Sequence, residues 1–148
     1  MVIETNNEQE TFEAGYQIGK EAKSGDVFAL IGDLGVGKTI FTQGFAKGLA
    51  IEGIVNSPTF TIIQIYDSGR LPLYHFDVYR IGDIEEMEEI GYQDYIFGDG
   101  VCLIEWANLI TEILPRSYQT ITIEKNLNIA LDYRKITVEG VPHEDISN

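Results

Sequence analysis

The chain has 148 residues, enough for one domain around a single core, and its 24 acidic against 10 basic side chains leave a formal charge of −14. That charge opposes nonspecific attraction to a phosphate backbone, so direct, unaided nucleic-acid binding is disfavoured. Cys102 is the single cysteine, which excludes an internal disulfide, and with His75 and His143 alone beside it a structural zinc site lacks ligands.

Taken in order, Thr5-Asn6-Asn7-Glu8 has capping-box spacing, and Phe12, Gly15, Gly19 and Ala22 recur at helix-compatible positions, so a helix is predicted through Ala22. Its glycines point to close packing on a neighbour rather than to strong helical propensity. Ser24-Gly25-Asp26 turns the chain into an apolar run, Asp26 to Ile31, of buried-strand type. Gly32-Asp33-Leu34-Gly35-Val36-Gly37-Lys38-Thr39 then matches the phosphate-loop pattern G-x-x-x-x-G-K-[ST] without a gap. In such a loop the glycines let backbone N–H groups turn inward around an anion. The lysine reaches the β- and γ-phosphates, and the Thr hydroxyl can ligate Mg²⁺. Phe41, Phe45 and Leu49 recur at i, i+4 and i+8, the face of a following helix, which completes the strand, loop and helix that the motif requires. The expected ligand is a nucleoside triphosphate held by Asp33, Leu34, Gly35, Val36, Gly37, Lys38, Thr39 and Ile40. Gly44 and Gly48 share one helical face, where missing side chains are expected to permit close approach to the sheet.

Beyond a connection at Gly53, Phe60 to Tyr66 is a β-branched and aromatic strand, and Asp67-Ser68-Gly69-Arg70 turns it into a second strand, Leu71 to Tyr79, as a hairpin. Asp83 and Glu86 have the spacing that opens a helix, with Ile84, Met87 and Ile90 on its apolar side. Glu85, Glu86, Glu88 and Glu89 read as a solvated face rather than a metal site. Val101 to Ile104 is a buried strand ending in Glu105-Trp106, in which Cys102 packs as a small hydrophobe; Ala107 to Leu114 forms a short helix stopped by Pro115. Thr120 to Glu124 and Tyr133 to Glu139 alternate as antiparallel strands around a turn at Asn126-Leu127-Asn128. Residues 1–140 thus read as one domain and 141–148 as a loose tail. The amino terminus has no basic region followed by an apolar core, and no apolar run approaches about 18 residues, so the default is cytoplasm and no membrane.

A phosphate loop needs a carboxylate near its metal, conventionally at the end of a neighbouring buried strand. Glu105 has that form, at the carboxyl end of an apolar run, where open α/β sheets bind ligands. Asp77, in His75-Phe76-Asp77-Val78-Tyr79-Arg80, faces away from Phe76 and Val78 if the strand alternates. Two readings stand for it: a carboxylate that positions water, or an ion pair with Arg80 or Lys38. His75 shares its face and reads as hydrogen-bonded structure. Thr59, in Ser57-Pro58-Thr59-Phe60, is either a hydroxyl that senses the γ-phosphate and Mg²⁺ or part of an ordinary Ser-Pro turn. Trp106 packs near the nucleotide or a partner, or belongs to the core.

Taken together, Gly32 to Thr39, Ser57-Pro58-Thr59-Phe60, His75 to Arg80 and Ile104-Glu105-Trp106 resemble the TsaE (YjeE) family of bacterial ATPases over nearly the whole chain. The resemblance implies a three-layer α/β fold of phosphate-loop NTPase type, with a mixed central sheet and antiparallel carboxyl-terminal strands. It implies an ATPase that uses ATP and Mg²⁺ to assist threonylcarbamoyl transfer to tRNA. TsaB and TsaD homologues are the implied partners, and tRNA is met only indirectly. By the same resemblance Lys38 holds phosphate, Thr39 and Glu105 form the magnesium site, Thr59 is the switch hydroxyl, and Asp77 supports hydrolysis. Val36, Ile40, Ala107 and Asn108 depart from the residues usual in the family, and none of them carries the metal chemistry.

The same loop also serves small-molecule kinases, which usually need an arginine-bearing lid, and only Arg70, Arg80, Arg116 and Arg134 are available. A module that holds ATP without hydrolysing it is the alternative of another class. A GTPase is disfavoured, because no N-K-x-D sequence occurs.

Overall fold

The computed structural model describes residues 1–33, 36–53, 55, 56, 58 and 62–141, the last by its backbone. Strand β1 (Val2–Thr5) leads into helix α1 (Glu8–Glu21), and β2 (Val27–Ile31) runs through the phosphate-loop segment to α2 (Lys38–Gly48). The strands β3 (Ile63–Tyr66) and β4 (Leu73–Asp77) form the expected hairpin, followed by the short helices α3 (Ile84–Glu89) and α4 (Gln93–Ile96). After β5 (Val101–Glu105) come a 3₁₀ helix (Ala107–Ile113) and the antiparallel pair β6 (Tyr118–Lys125) and β7 (Arg134–Val141). Strand β7 therefore enters the segment expected to be a tail by one residue; positions 142–148 lie outside the described residues.

One seven-stranded sheet has the order β1-β7-β6-β2-β5-β4-β3. Neighbours β6, β2, β5 and β4 run parallel, and β3, β7 and β1 join antiparallel at the two edges. A parallel sheet covered on both faces needs strands that are apolar throughout, and all five positions of β5 are buried. On one face α1 and α2 bring Ile18, Phe41, Phe45 and Leu49 against Phe28, Leu30, Leu103 and Ile121. On the other, Met87, Ile96 and Ile110 from α3, α4 and the 3₁₀ helix meet Val27, Ala29, Cys102 and Ile104. The result is the three-layer α/β arrangement expected for a phosphate-loop NTPase. Among the described residues no helix is long and apolar enough to cross a membrane.

Three local expectations change. Helix α1 is capped by Asn7 rather than Thr5: the Asn7 carboxamide oxygen accepts from Glu10 N–H at 2.8 Å, and Glu10 accepts in turn from Asn6 N–H at 2.8 Å. Thr5 is instead the end of β1, paired with Arg134, and its buried hydroxyl shares a hydrogen bond with Thr11 at 2.8 Å. Gly44 and Gly48 approach α1, not the sheet: a Cβ there would lie 2.0 Å from the Phe12 carbonyl and 2.3 Å from the Tyr16 carbonyl. Gly15 and Gly19 reciprocate at 2.3 and 2.2 Å from the Phe41 and Phe45 carbonyls, so the two helices meet backbone to backbone. Asp83 does sit at the N-cap of α3, but its side chain makes no capping bond, and Glu86 accepts from Gly82 N–H at 2.7 Å.

Candidate functional site

The motif lies where β2 ends and α2 begins, at the carboxyl edge of the parallel strands, the side on which open α/β sheets bind ligands. Gly32 has no room for a side chain, since a Cβ would lie 2.8 Å from Val36 Cγ1 and 3.1 Å from the Ile123 carbonyl. Gly37 caps α2 with φ +102°, a left-handed conformation natural to glycine, and supplies no side chain to the first turn. Free N–H groups at such a helix start, with the aligned peptide dipoles behind them, favour an anion. Asp33 and Thr39 are exposed, Ile40 is half-buried, and Val36 is packed in the core. Leu34 and Gly35 lie outside the described residues.

Lys38 and Glu105 meet across this edge. Lys38 Nζ is 3.6 Å from Glu105 Oε1, and His75 Nε2 donates to Glu105 Oε2 at 2.9 Å. Glu105 is only 8% exposed, and burial opposes its ionisation; the hydrogen bond and electrostatic pull of His75, followed by those of Lys38, outweigh this and hold its pKa below the ordinary glutamate value. The carboxylate is thus kept charged among two nitrogen donors, as a ligand for a hard cation must be.

Asp77 stands beside Glu105 in the β4–β5 register, while Phe76 and Val78 are buried on the opposite face, as the alternation predicted. Its carboxylate accepts from Tyr79 N–H at 3.0 Å, and among the described residues neither Arg80 nor Lys38 forms an ion pair with it. Thr59 lies outside the described residues. Trp106 is 42% exposed and therefore not a core indole. It adopts φ +64°, strained for a bulky side chain, with its ring 4.7 Å from Tyr79 and its centroid 5.6 Å from Lys38 Nζ.

Among the described residues, two clefts flank the loop segment. One, of about 170 Å³, opens between Gly32, Asp33, Lys38 and Trp106. The other, of about 440 Å³, is lined by Asn7, Thr11, Val36, Gly37, Ile40 and Arg134 among others. Arg134 and His75 are the residues that sequence reasoning left out. A His two positions before an Asp on a strand shares its face, so His75 carried a signal. Arg134 carried none, because its contact depends on how the β6–β7 hairpin folds back onto the loop.

Residues 5–136 match the family model described as "Threonylcarbamoyl adenosine biosynthesis protein TsaE". A Bacillus subtilis protein named "tRNA threonylcarbamoyladenosine biosynthesis protein TsaE" is 52% identical over 93% of this chain and 84% of its own. A Treponema pallidum protein of the same name is 42% identical over 88% of this chain and 93% of its own. The crystal structure of Bacillus subtilis YdiB superposes with a TM-score of 0.78 at 41% identity, covering 99% of this chain and 88% of that one.

Proposed function

We propose, from the premise that the chain belongs to the TsaE family, that it binds ATP with Mg²⁺, hydrolyses it, and thereby serves tRNA threonylcarbamoyladenosine biosynthesis beside TsaB and TsaD homologues. The observation that carries this reading is the pairing of Lys38, in the first turn of the phosphate-loop helix, with Glu105, a buried carboxylate ending the adjacent parallel strand, at 3.6 Å. Residues 1–141, through the end of β7, act as a single cytoplasmic ATPase domain, with no membrane partner.

The donor set fits magnesium. A Thr39 hydroxyl and a Glu105 carboxylate are hard oxygen donors, and Mg²⁺ at phosphate sites takes one or two protein oxygens with phosphates and waters completing its shell. Once bound, the ion offsets charge on the phosphoryl oxygens. The protein's own part begins at the start of α2, where backbone N–H groups receive phosphate oxygens. Lys38 exchanges its contacts with Glu105 and Trp106 for the β- and γ-phosphates. Asp77, level with Glu105, orients the attacking water, and Thr59 senses the γ-phosphate. The larger cleft between α1, the loop and Arg134 has the volume of a small-ligand site and takes the nucleoside.

The acidic surface suits a subunit that works on protein partners and reaches tRNA through them. TsaD carries the transfer chemistry, and hydrolysis here resets the complex between turnovers. Reconstitution tests this reading: with TsaB and TsaD homologues, tRNA, an activated threonylcarbamoyl donor and Mg·ATP, modified adenosine accumulates over many turnovers only when this chain is present. Equal accumulation without the chain, or with a non-hydrolysable ATP analogue in this subunit, would contradict it.

A further inference from the structure

We infer that His75 is the positioning residue for the Glu105 carboxylate, fixing which of its oxygens faces the phosphate loop. The inference rests on the reading of Glu105 as a magnesium-site residue. His75 lies alongside Leu103 in the parallel β4–β5 register, two positions before the Asp77–Glu105 pair, so the imidazole and the carboxylate project from the same sheet face. His75 Nε2 donates to Oε2 at 2.9 Å, which leaves Oε1 directed at Lys38 Nζ, 3.6 Å away. One carboxylate oxygen is tethered from behind, and the other is presented to the loop.

Burial makes that tether specific. His75 is 1% exposed, so water does not compete for Nε2, and its Nδ1 has no hydrogen-bond partner among the described residues. A buried imidazole with an orphaned nitrogen is a costly way to fill a position whose same-face neighbours Leu73 and Leu103 are aliphatic. An apolar side chain would fill it without that penalty. What the imidazole provides and an apolar side chain does not is the N–H at Glu105. A glutamate side chain has several rotatable bonds, and without the tether Glu105 can collapse onto Lys38 and lose the geometry a metal site needs. Partners that hold a ligating carboxylate in this way typically matter by about 10- to 100-fold in metal affinity.

The test uses Mn²⁺ as the magnesium surrogate, titrated by electron paramagnetic resonance into the full chain saturated with a non-hydrolysable ATP analogue, with melting curves alongside. His75→Phe is expected to melt below the wild type, because the buried Glu105 carboxylate loses its principal partner, yet to bind the analogue normally in EDTA and to bind Mn²⁺ about 10- to 100-fold more weakly. His75→Gln, whose amide N–H can take the place of Nε2, is expected to recover most of that loss. His75→Leu repeats the comparison if phenylalanine is too large to fold. Wild-type Mn²⁺ affinity in the apolar variant, or an equal loss in His75→Gln, would overturn the positioning role. Glu105→Ala separates the two levels: if it also leaves Mn²⁺ binding unchanged, the metal reading fails and the inference with it; if it weakens binding while His75→Phe does not, positioning alone fails.

Discussion

Arg134 Nε donates to the Val36 carbonyl at 2.7 Å, tying the first residue of β7 to the phosphate loop. Its Nη1 donates to the Leu131 and Tyr133 carbonyls at 3.0 and 2.7 Å, so one guanidinium bridges the β6–β7 turn and the loop. Hydrogen bonds from a charged donor contribute about 1.5–3 kcal/mol. Arg134→Met is therefore expected to weaken nucleotide binding by about tenfold or more while leaving the Mg²⁺ dependence of turnover unchanged. Calorimetric titration checks this, and wild-type affinity would show that the loop holds its shape without the bridge.

Trp106 is the only tryptophan, and its ring lies 5.6 Å from the ammonium that is proposed to leave for the phosphates. ATP is expected to change its fluorescence saturably as Lys38 withdraws. In Lys38→Met the nucleotide-free spectrum is expected to resemble the wild-type ATP spectrum. A spectrum indifferent to ATP at saturation would mean that Lys38 stays on the indole.

The contact between α1 and α2 leaves no space at Gly44, where a Cβ would lie 2.0 Å from the Phe12 carbonyl. Overpacking against backbone costs about 1–3 kcal/mol or more, and each kcal/mol moves Tm by roughly 2–4 °C in a chain of this size. Gly44→Ala is thus expected to lower Tm by about 3–10 °C. Gly140→Ala, with nothing within 4 Å of the added methyl, is the control and is expected to melt close to wild type.

Burial pushes the Cys102 thiol up to about 12. At pH 8 the folded chain is expected to resist a thiol-disulfide reagent, while the chain in denaturant reacts with one equivalent, because only the thiolate attacks. The folded pKa is raised, so the stabilising contribution is complete below the unfolded value of about 8.5. It is lost as pH rises toward the folded value, by about 1.4 kcal/mol per unit. Chemical denaturation at pH 7.5 and 10 checks the sign: the stability difference between wild type and Cys102→Ala is expected to fall by about 2 kcal/mol.

What could be read in advance was local. The phosphate loop announces itself through glycine spacing, the apolar runs of β2 and β5 through burial on both sheet faces, and α2 through Phe41, Phe45 and Leu49. What could not be read depends on distant pairing. Val2 to Thr5 becomes a strand only because β7 returns beside it, which moves the helix cap from Thr5 to Asn7. Glycines at i and i+4 announce a close approach but not its partner, and Gly44 met a helix where the sheet was expected. In the site, Lys38 and Glu105 were legible because each ends or begins an element with a strong pattern. His75 became more than a strand histidine only when the β4–β5 register placed it behind Glu105. Trp106 was open between core and surface, since one aromatic after a strand has no periodicity to orient it.

Lys38 and Glu105 are proposed to belong to one magnesium-dependent ATP-hydrolysing site. Release of labelled γ-phosphate by the purified chain, alone and with TsaB and TsaD homologues, tests it most directly. Mg²⁺-dependent release is expected, abolished in Lys38→Ala and strongly reduced in Glu105→Ala, with ATP binding partly retained in the latter. Release by Lys38→Ala at the wild-type rate would contradict it.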